Sequence, residues 1–163
     1  MLDPNSEASQ GFAGHQQAMR PVAQALIQVL ADASPEFTAA RYSCRYVGGL
    51  AQGSLVGVRA DESEGWKGIR TRSEELEDAT DRLRQTMYRP GVGAWFGAII
   101  TVDREGHASM DFNYDVEPDF GREVPAHLYV SEQRRVPRDA ENIPEWLARK
   151  HDEGSKNPPP YRD

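Results

Sequence analysis

The chain has 163 residues, 38% hydrophobic and 28% charged, which is typical of one globular domain of soluble composition. The formal charge of −7 argues against direct binding to a nucleic-acid backbone, whose partners concentrate Lys and Arg. No apolar run approaches the roughly 20 residues that cross a bilayer, and the N-terminus has no basic and apolar regions of a secretory signal. Cys44 is the lone cysteine, so we expect a protein of the reducing cytoplasm.

The N-terminal third predicts a helix preceded by a disordered segment. Residues 1–14 are small and polar, and we expect them to be disordered. Apolar residues then recur at helical spacing from about His15 to Ala33, which predicts an amphipathic helix. Because Pro21 is best tolerated in a first turn, we expect the regular helix to begin near Arg20.

A hairpin is predicted next. In FTAARYSCRYV the Tyr and Cys side chains fall on one face, and Arg41 and Arg45 fall on the other, as in a strand. The pair Gly48 and Gly49 is a hairpin-turn signal, and LAQGSLVGVRAD continues as the second strand. We interpret DESEGWKGIR as a loop with a short strand at its end.

A second helix is predicted from Thr71 or Ser73 to the helix-ending pair Pro90 and Gly91. Thr71 and Glu74 have the spacing of a capping box, and the acidic residues that follow favour the positive end of the helix dipole. The predicted core stripe is Leu76, Ala79 or Thr80, Leu83 and Met87.

The rest of the chain predicts a second hairpin and two helices. AWFGAIITVD is a strongly apolar strand, and HASMDFNYD follows a turn as a strand with one buried face. AHLYVSEQRRV predicts a short helix. Asn142 is interpreted as the N-cap of a final helix, with Pro144 in its first turn. Residues 153–163 are Pro-rich, and we expect an extended or disordered tail.

The predicted element order is α-ββ-α-ββ-(α)-α, with antiparallel hairpins in place of βαβ crossovers. This order predicts an α+β fold with helices packed on an antiparallel sheet of about four or more strands. We expect residues 15–152 to form a single domain.

The stretch HASMDFNYDVEPDF begins as the last strand and carries four carboxylates, Asp111, Asp115, Glu117 and Asp119. A solvated turn, a surface for a basic partner, a catalytic pair and a metal site are the alternatives. A calcium loop starting at Asp111 would need a glycine where Val116 stands and a glutamate where Arg122 stands. We therefore expect no metal.

Other chemistry has little support in the sequence. The histidines are dispersed, and the chain has no HExxH, CxxC, GxSxG or P-loop motif, so we expect neither a catalytic site nor a cofactor. A carboxylate-based hydrolase that uses His107 or His127 remains an alternative. We expect Trp95 and Trp146 to be packing anchors and Trp66, in a loop, to be exposed for contact with a partner.

The middle of the chain combines a charged helix, SEELEDATDRLRQTM, with a strand led by Trp95, a D-x-x-G turn that begins at Asp103, and the run Phe112-Asn113-Tyr114-Asp115. In this order the elements resemble those of the YezG-like family of bacterial antitoxin and immunity proteins. The resemblance implies a non-enzymatic protein that binds the catalytic domain of a polymorphic toxin, either a nuclease or an NAD-degrading enzyme.

An acidic inhibitor complements the basic surface with which a nuclease holds phosphate. We therefore expect a cytoplasmic protein that occludes the active site of a basic toxin domain. An adaptor domain for an endogenous protein is a further alternative. The predicted partner contacts are Asp115, Glu117, Asp119, Phe120 and Trp66.

Overall fold

The structure is a computed structural model that describes residues 7–59 and 65–157, with side chains described from Gly14 onward. Its described part contains four helices and five strands. In chain order these are α1 (Glu7–Asp32), β1 (Phe37–Val47), β2 (Leu50–Arg59), β3 (Trp66–Gly68), α2 (Glu74–Met87), β4 (Gly97–Asp103), β5 (Ala108–Asn113), α3 (His127–Arg135) and α4 (Glu145–Lys156). The strands form one antiparallel sheet in the order β3-β2-β1-β4-β5. The predicted α+β class, with helices packed on an antiparallel sheet, is confirmed.

The chain divides into two compact units. Unit 1 comprises Met1–Tyr42, Ser54–Met87 and Ile99–Met110, and unit 2 comprises Ser43–Gly53, Tyr88–Ala98 and Asp111–Asp163. The single domain expected over residues 15–152 stays a prediction.

In unit 1, helices α1 and α2 pack against each other. Helix α1 begins at Glu7 and runs through Pro21, so the predicted start near Arg20 is wrong. The disorder expected over residues 1–14 stays a prediction. Proline removes one hydrogen bond of a helix, but Val22 and Leu26, which follow it, are fully buried and hold this part of the helix in the core. Residues 1–6 lie outside the described part of the chain.

Helix α2 has the predicted buried stripe, formed by Leu76, Ala79, Thr80, Leu83 and Met87. Its N-cap is Ser73, whose Oγ accepts a hydrogen bond from the Leu76 N–H at 3.1 Å. The helix therefore begins two residues later than a capping box of Thr71 and Glu74 requires, and that predicted box is not formed.

The two features predicted for the first hairpin and the loop after it are confirmed. Gly48 and Gly49 have φ values of +54° and +92°, which glycine adopts without steric cost, in the turn between β1 and β2. The short strand expected at the end of the following loop is β3, which pairs with β2 at Val56↔Gly68 and Val58↔Trp66. Residues 60–64 of that loop lie outside the described residues.

In unit 2, helices α3 and α4 pack against each other over an apolar cluster of Val47, Phe96, Phe120, Val124, Tyr129 and Leu147. The short helix predicted after the acidic residues is confirmed as α3.

The predicted N-cap of the final helix is wrong. Helix α4 begins at Glu145, directly after Pro144, because a proline disfavours helical conformation in the residue before it and Ile143 is accordingly extended. The amide of Asn142 instead donates a hydrogen bond to the Gly91 carbonyl at 2.9 Å. Helix α4 ends at Lys156, inside the segment predicted as a Pro-rich tail, and residues 158–163 lie outside the described chain.

Across the described residues, no helix combines the length and the apolar character needed to cross a bilayer.

Candidate partner-binding loop

Of the four acidic residues singled out in the sequence, Asp111 lies within β5. The other three lie in a loop directly after β5, which we call the acidic loop (residues 114–120). Asn113, the last residue of β5, closes its first turn. The Asn113 Nδ2 donates to the Val116 carbonyl at 2.8 Å, and its Oδ1 accepts from the N–H groups of Asp115 and Val116 at 3.3 and 2.9 Å. One side chain thereby fixes the backbone on both sides of Val116.

The buried side chain of Arg138 is the second anchor of the loop. Its guanidinium donates to the Tyr114 carbonyl at 2.6 Å and to the carbonyls of Ala94 and Asn142 at 3.2 Å. It also lies 3.6 Å from the Asp115 carboxylate, although the Arg138 side chain is only 4% exposed. A charge is tolerated at such depth only when hydrogen-bond acceptors surround it, and these carbonyls supply them.

Trp146 is the third anchor. Its indole Nε1 donates to the Asp115 carbonyl at 2.7 Å. The ring itself packs edge-on against Phe96 and Tyr129, with centroid distances of 5.6 and 5.7 Å. The prediction that Trp146 is a packing anchor is confirmed, whereas its hydrogen bond to the acidic loop was not foreseen.

The three predicted acidic contacts remain at the surface of this fixed loop. The Asp115 side chain is 79% exposed, and that of Glu117 is 49% exposed with Lys150 Nζ at 3.5 Å. Asp119 is also exposed, and its Oδ1 accepts from the Gly121 N–H at 2.8 Å. All three carboxylates are exposed, so a partner can reach them.

Two other residues of the loop differ from expectation. Phe120 is only 4% exposed and belongs to the apolar cluster of unit 2, which argues against a direct contact between its side chain and a partner. Val116, which sequence reasoning did not select, is 68% exposed at the tip of the loop. The only signal for it in the sequence is an apolar residue between Asp115 and Glu117.

Trp66, the remaining predicted contact, belongs to unit 1, whereas the acidic loop belongs to unit 2. The residue is 39% exposed, as predicted, but it is the first residue of β3 and does not lie in a loop. The guanidinium of Arg41 lies over the indole ring, 4.2 Å from the centroid, and the Arg41 Nε donates to Thr101 Oγ1 at 3.3 Å. A role for Trp66 in partner binding stays a prediction.

Unit 1 also carries a group that sequence reasoning missed, in the hairpin turn of residues 103–107 between β4 and β5. One ligand atom each from Asp103, Glu105 and His107 lie within 4.8 Å of one another, which makes them candidate metal ligands. Asp103 Oδ1 accepts from the N–H groups of Glu105 and His107, and its Oδ2 lies 2.9 Å from His107 Nδ1. These hydrogen bonds close the turn, and turn closure explains why the three side chains lie close together. The alternating D-x-E-x-H spacing was its signal in the sequence.

The pKa values of His107 and Asp103 in this turn are shifted in opposite directions. Hydrogen bonding and the negative charge of Asp103 raise the pKa of the His107 imidazole above its ordinary value. The backbone N–H of His107, followed by its side chain, lowers the pKa of the Asp103 carboxyl. The His107 side chain is 75% exposed and that of Asp103 is 39% exposed, so solvent screens the mutual effect.

Beside the acidic loop is a cleft of about 300 Å³, lined by Glu117, Pro118, Asp119, Phe120, Arg122, Glu123, Val124, Tyr129 and Lys150. Burial, with a smaller contribution from the charge of Glu117, raises the pKa of Tyr129 to about 12. Its hydroxyl therefore remains protonated at neutral pH and is a poor general base. Burial lowers the pKa of His151 in α4.

The enzyme alternative required His107 or His127 beside the acidic loop. His107 belongs to unit 1 and is hydrogen-bonded to Asp103, while His127 is the first residue of α3. A second cleft, of about 650 Å³, lies in unit 1 between the end of α1 and the start of α2, and residues 68–75 form one of its walls. None of its lining residues is a histidine or a cysteine.

No protein-family model matches the chain, and no curated protein matches it. A functional assignment therefore depends on the geometry of the acidic loop and on the motifs in the sequence.

Proposed function

We propose that this protein is an immunity-type inhibitor that binds the basic catalytic domain of a bacterial toxin and blocks its active site, without catalysing a reaction. The observation that carries the proposal is the acidic loop, whose backbone is held by Asn113, Arg138 and Trp146 while Asp115 and Glu117 face solvent. The resemblance of the middle of the chain to YezG-like immunity proteins points to the same function.

A fixed loop favours tight binding because association otherwise requires flexible groups to lose conformational entropy. Ordering a rotamer-rich side chain at an interface costs about 0.5–1.5 kcal/mol, and ordering loop backbone adds to this. The hydrogen bonds to the carbonyls of Tyr114 and Asp115 and to both polar groups of Val116 set the loop in place before the partner arrives. Preorganisation of this kind is typical of inhibitor loops.

The charge of the loop indicates the chemistry of the partner. The whole chain carries a net charge of −7, and three exposed carboxylates stand on a single loop. An enzyme that acts on nucleic acid or on NAD holds phosphate groups with Lys and Arg, so its active site has the complementary sign. Electrostatic attraction between the two surfaces accelerates association and orients the complex.

The test is rescue by co-expression with a panel of nuclease and NAD-degrading toxin domains. We expect the wild-type protein to restore growth against at least one of them. The triple variant Asp115→Lys, Glu117→Lys and Asp119→Lys should lose rescue and associate at least about tenfold more slowly with that toxin domain.

A matched control has the same change of net charge elsewhere. Glu75, Asp78 and Asp81 are exposed on α2, and their replacement by Lys should leave rescue intact. Equal loss of rescue by both triple variants would remove the acidic loop from the mechanism. Failure of the wild-type protein against the whole panel would overturn the proposed function itself.

A further inference from the structure

Val116 is the most exposed large apolar residue in the described part of the chain. Its exposed fraction is 68%, against 43% for Ile99 and 39% for Val92 and Trp66. A single exposed valine on a mobile loop needs no explanation. Val116, however, lies at the tip of a loop whose backbone is fixed by the rest of unit 2.

The orientation of Val116 is set on both sides of the residue. Its N–H donates to Asn113 Oδ1 at 2.9 Å, and its carbonyl accepts from Asn113 Nδ2 at 2.8 Å. With both backbone groups used within the loop, the side chain is left directed to solvent. Valine has one stiff side-chain torsion, so burying this side chain against a partner loses little conformational entropy.

The residues on either side of Val116 indicate which partner groups would surround it in a complex. Asp115 and Glu117 precede and follow it, and each already lies near a cation, Arg138 at 3.6 Å and Lys150 at 3.5 Å. Both carboxylates flank Val116 in the chain and are 79% and 49% exposed. A surface complementary to this loop has an apolar pocket at its centre and positive charge around the mouth of the pocket.

We infer that Val116 is the apolar anchor of the interface and inserts into a pocket of the partner that is bordered by Lys or Arg side chains. This inference rests on the proposed function and specifies the partner surface. Nucleotide-binding active sites combine these features, since they place an apolar base pocket beside cationic phosphate ligands. The anchor supplies affinity, and the flanking carboxylates supply orientation and association rate.

One substitution separates this anchor from attraction by charge alone. Val116→Asp adds a negative charge at the tip of an acidic loop. If charge alone bound the basic partner, the variant would bind more tightly. If Val116 fills an apolar pocket, the variant buries a carboxylate there and binds more weakly.

The measurement uses the toxin domain that the wild-type protein neutralises in the panel. Rate constants are determined by surface plasmon resonance with that domain immobilised. We expect Val116→Asp to raise Kd by about 30-fold or more, mainly through faster dissociation, as at other interface anchors. Val116→Ser, which introduces no charge, should raise Kd about tenfold. Val92→Asp, on an exposed valine of the same unit outside the acidic loop, should bind like the wild type. Thermal unfolding of each variant verifies that the fold is intact.

The outcomes are distinguishable. Failure of the wild-type protein to neutralise any toxin domain would overturn the proposed function and this inference with it. Neutralisation by the wild type, with a Val116→Asp variant that binds within threefold or more tightly, would overturn the anchor alone. Equal weakening by Val92→Asp would also overturn it, because the effect would then be general to the surface.

Discussion

The acidic loop of unit 2 and the hairpin turn (residues 103–107) of unit 1 both gather carboxylates at the end of a strand, but they use them differently. In the turn, the Asp103 carboxylate accepts hydrogen bonds from its own backbone neighbours and from His107. In the acidic loop, an amide closes the first turn and two donors, Arg138 and Trp146, hold the backbone. The carboxylates of the loop are thus left at the surface, where a partner can reach them.

This comparison indicates how a structural acidic cluster differs from one that can bind a partner. Where carboxylates close a turn, a cation of a partner that bound those carboxylates would compete with the hydrogen bonds that hold the turn. Where buried groups from other elements hold the backbone, a partner can bind the carboxylates without displacing the hydrogen bonds that fix that backbone. The two kinds of cluster differ in which residues hold the backbone, the carboxylates themselves or donors from other elements. The acidic residues alone do not reveal this difference.

The largest expected effect comes from removing the buried anchor. Arg138→Ala leaves the carbonyls of Tyr114, Ala94 and Asn142 without this donor, and we expect a loss of about 3–5 kcal/mol in the free energy of unfolding. Urea unfolding at constant pH measures the loss.

The matched control lies in the hairpin turn. Arg104 also donates to two carbonyls, those of Phe37 and Ser34, but it is exposed. Arg104→Ala should therefore change the free energy of unfolding by about 1 kcal/mol or less. A loss as large as that of Arg138→Ala would contradict the distinction between buried and exposed anchors.

The second prediction compares the residues that close the two turns. Asn113→Ala removes three hydrogen bonds, and we expect it to lower the free energy of unfolding by about 1 kcal/mol. The Val116 amide should exchange with solvent faster, while Trp146 and Arg138 keep the preceding residues in place. In Asp103→Ala, by contrast, the amides of Glu105 and His107 lose their shared acceptor together.

Amide hydrogen exchange measured by NMR resolves these positions one by one. Faster exchange of the Trp146 indole N–H in Asn113→Ala would contradict the difference drawn between the two regions. That result would mean that the helices do not hold the loop independently of its own turn.

The sequence predicted the elements of this fold better than the contacts of the site. Strand alternation and the apolar stripe of α2 depend on local spacing, and the structure agrees with them. Helix ends depend on a single residue, so the predictions at Thr71 and Asn142 failed although the helices themselves were correct. The start of α1 failed because the packing of Val22 and Leu26 outweighs the local penalty of Pro21.

For the candidate site, the sequence identified the acidic residues but not what holds them. Arg138 and Trp146 lie more than twenty residues after the acidic-loop carbonyl groups to which they donate, and no local pattern connects such distant positions. Phe120 was selected as an exposed contact because it follows Asp119 in a polar segment. Its burial is a consequence of the packing of α3 and α4, which a pattern of neighbouring residues does not contain.

The smallest expected effects concern pH, and they have opposite signs in the two units. In unit 1, the pKa of His107 is raised above 6.5 by Asp103, so the folded state binds the proton more tightly than the unfolded state. This contribution to stability is complete below the unfolded value and is lost as the pH rises through the folded value. Asp103→Asn should return the His107 pKa to its ordinary range in an NMR titration.

In unit 2, burial lowers the pKa of His151 below 6.5, despite a hydrogen bond with the backbone of Tyr129 that acts in the opposite direction. The unfolded state then binds the proton more tightly, so stability is complete above the unfolded value and falls as the pH decreases through the folded value. In one titration of imidazole resonances, we expect His151 to titrate at lower pH than His107. The reverse order would mean that the His151 ring is hydrated, and it would contradict the lowering of this pKa by burial.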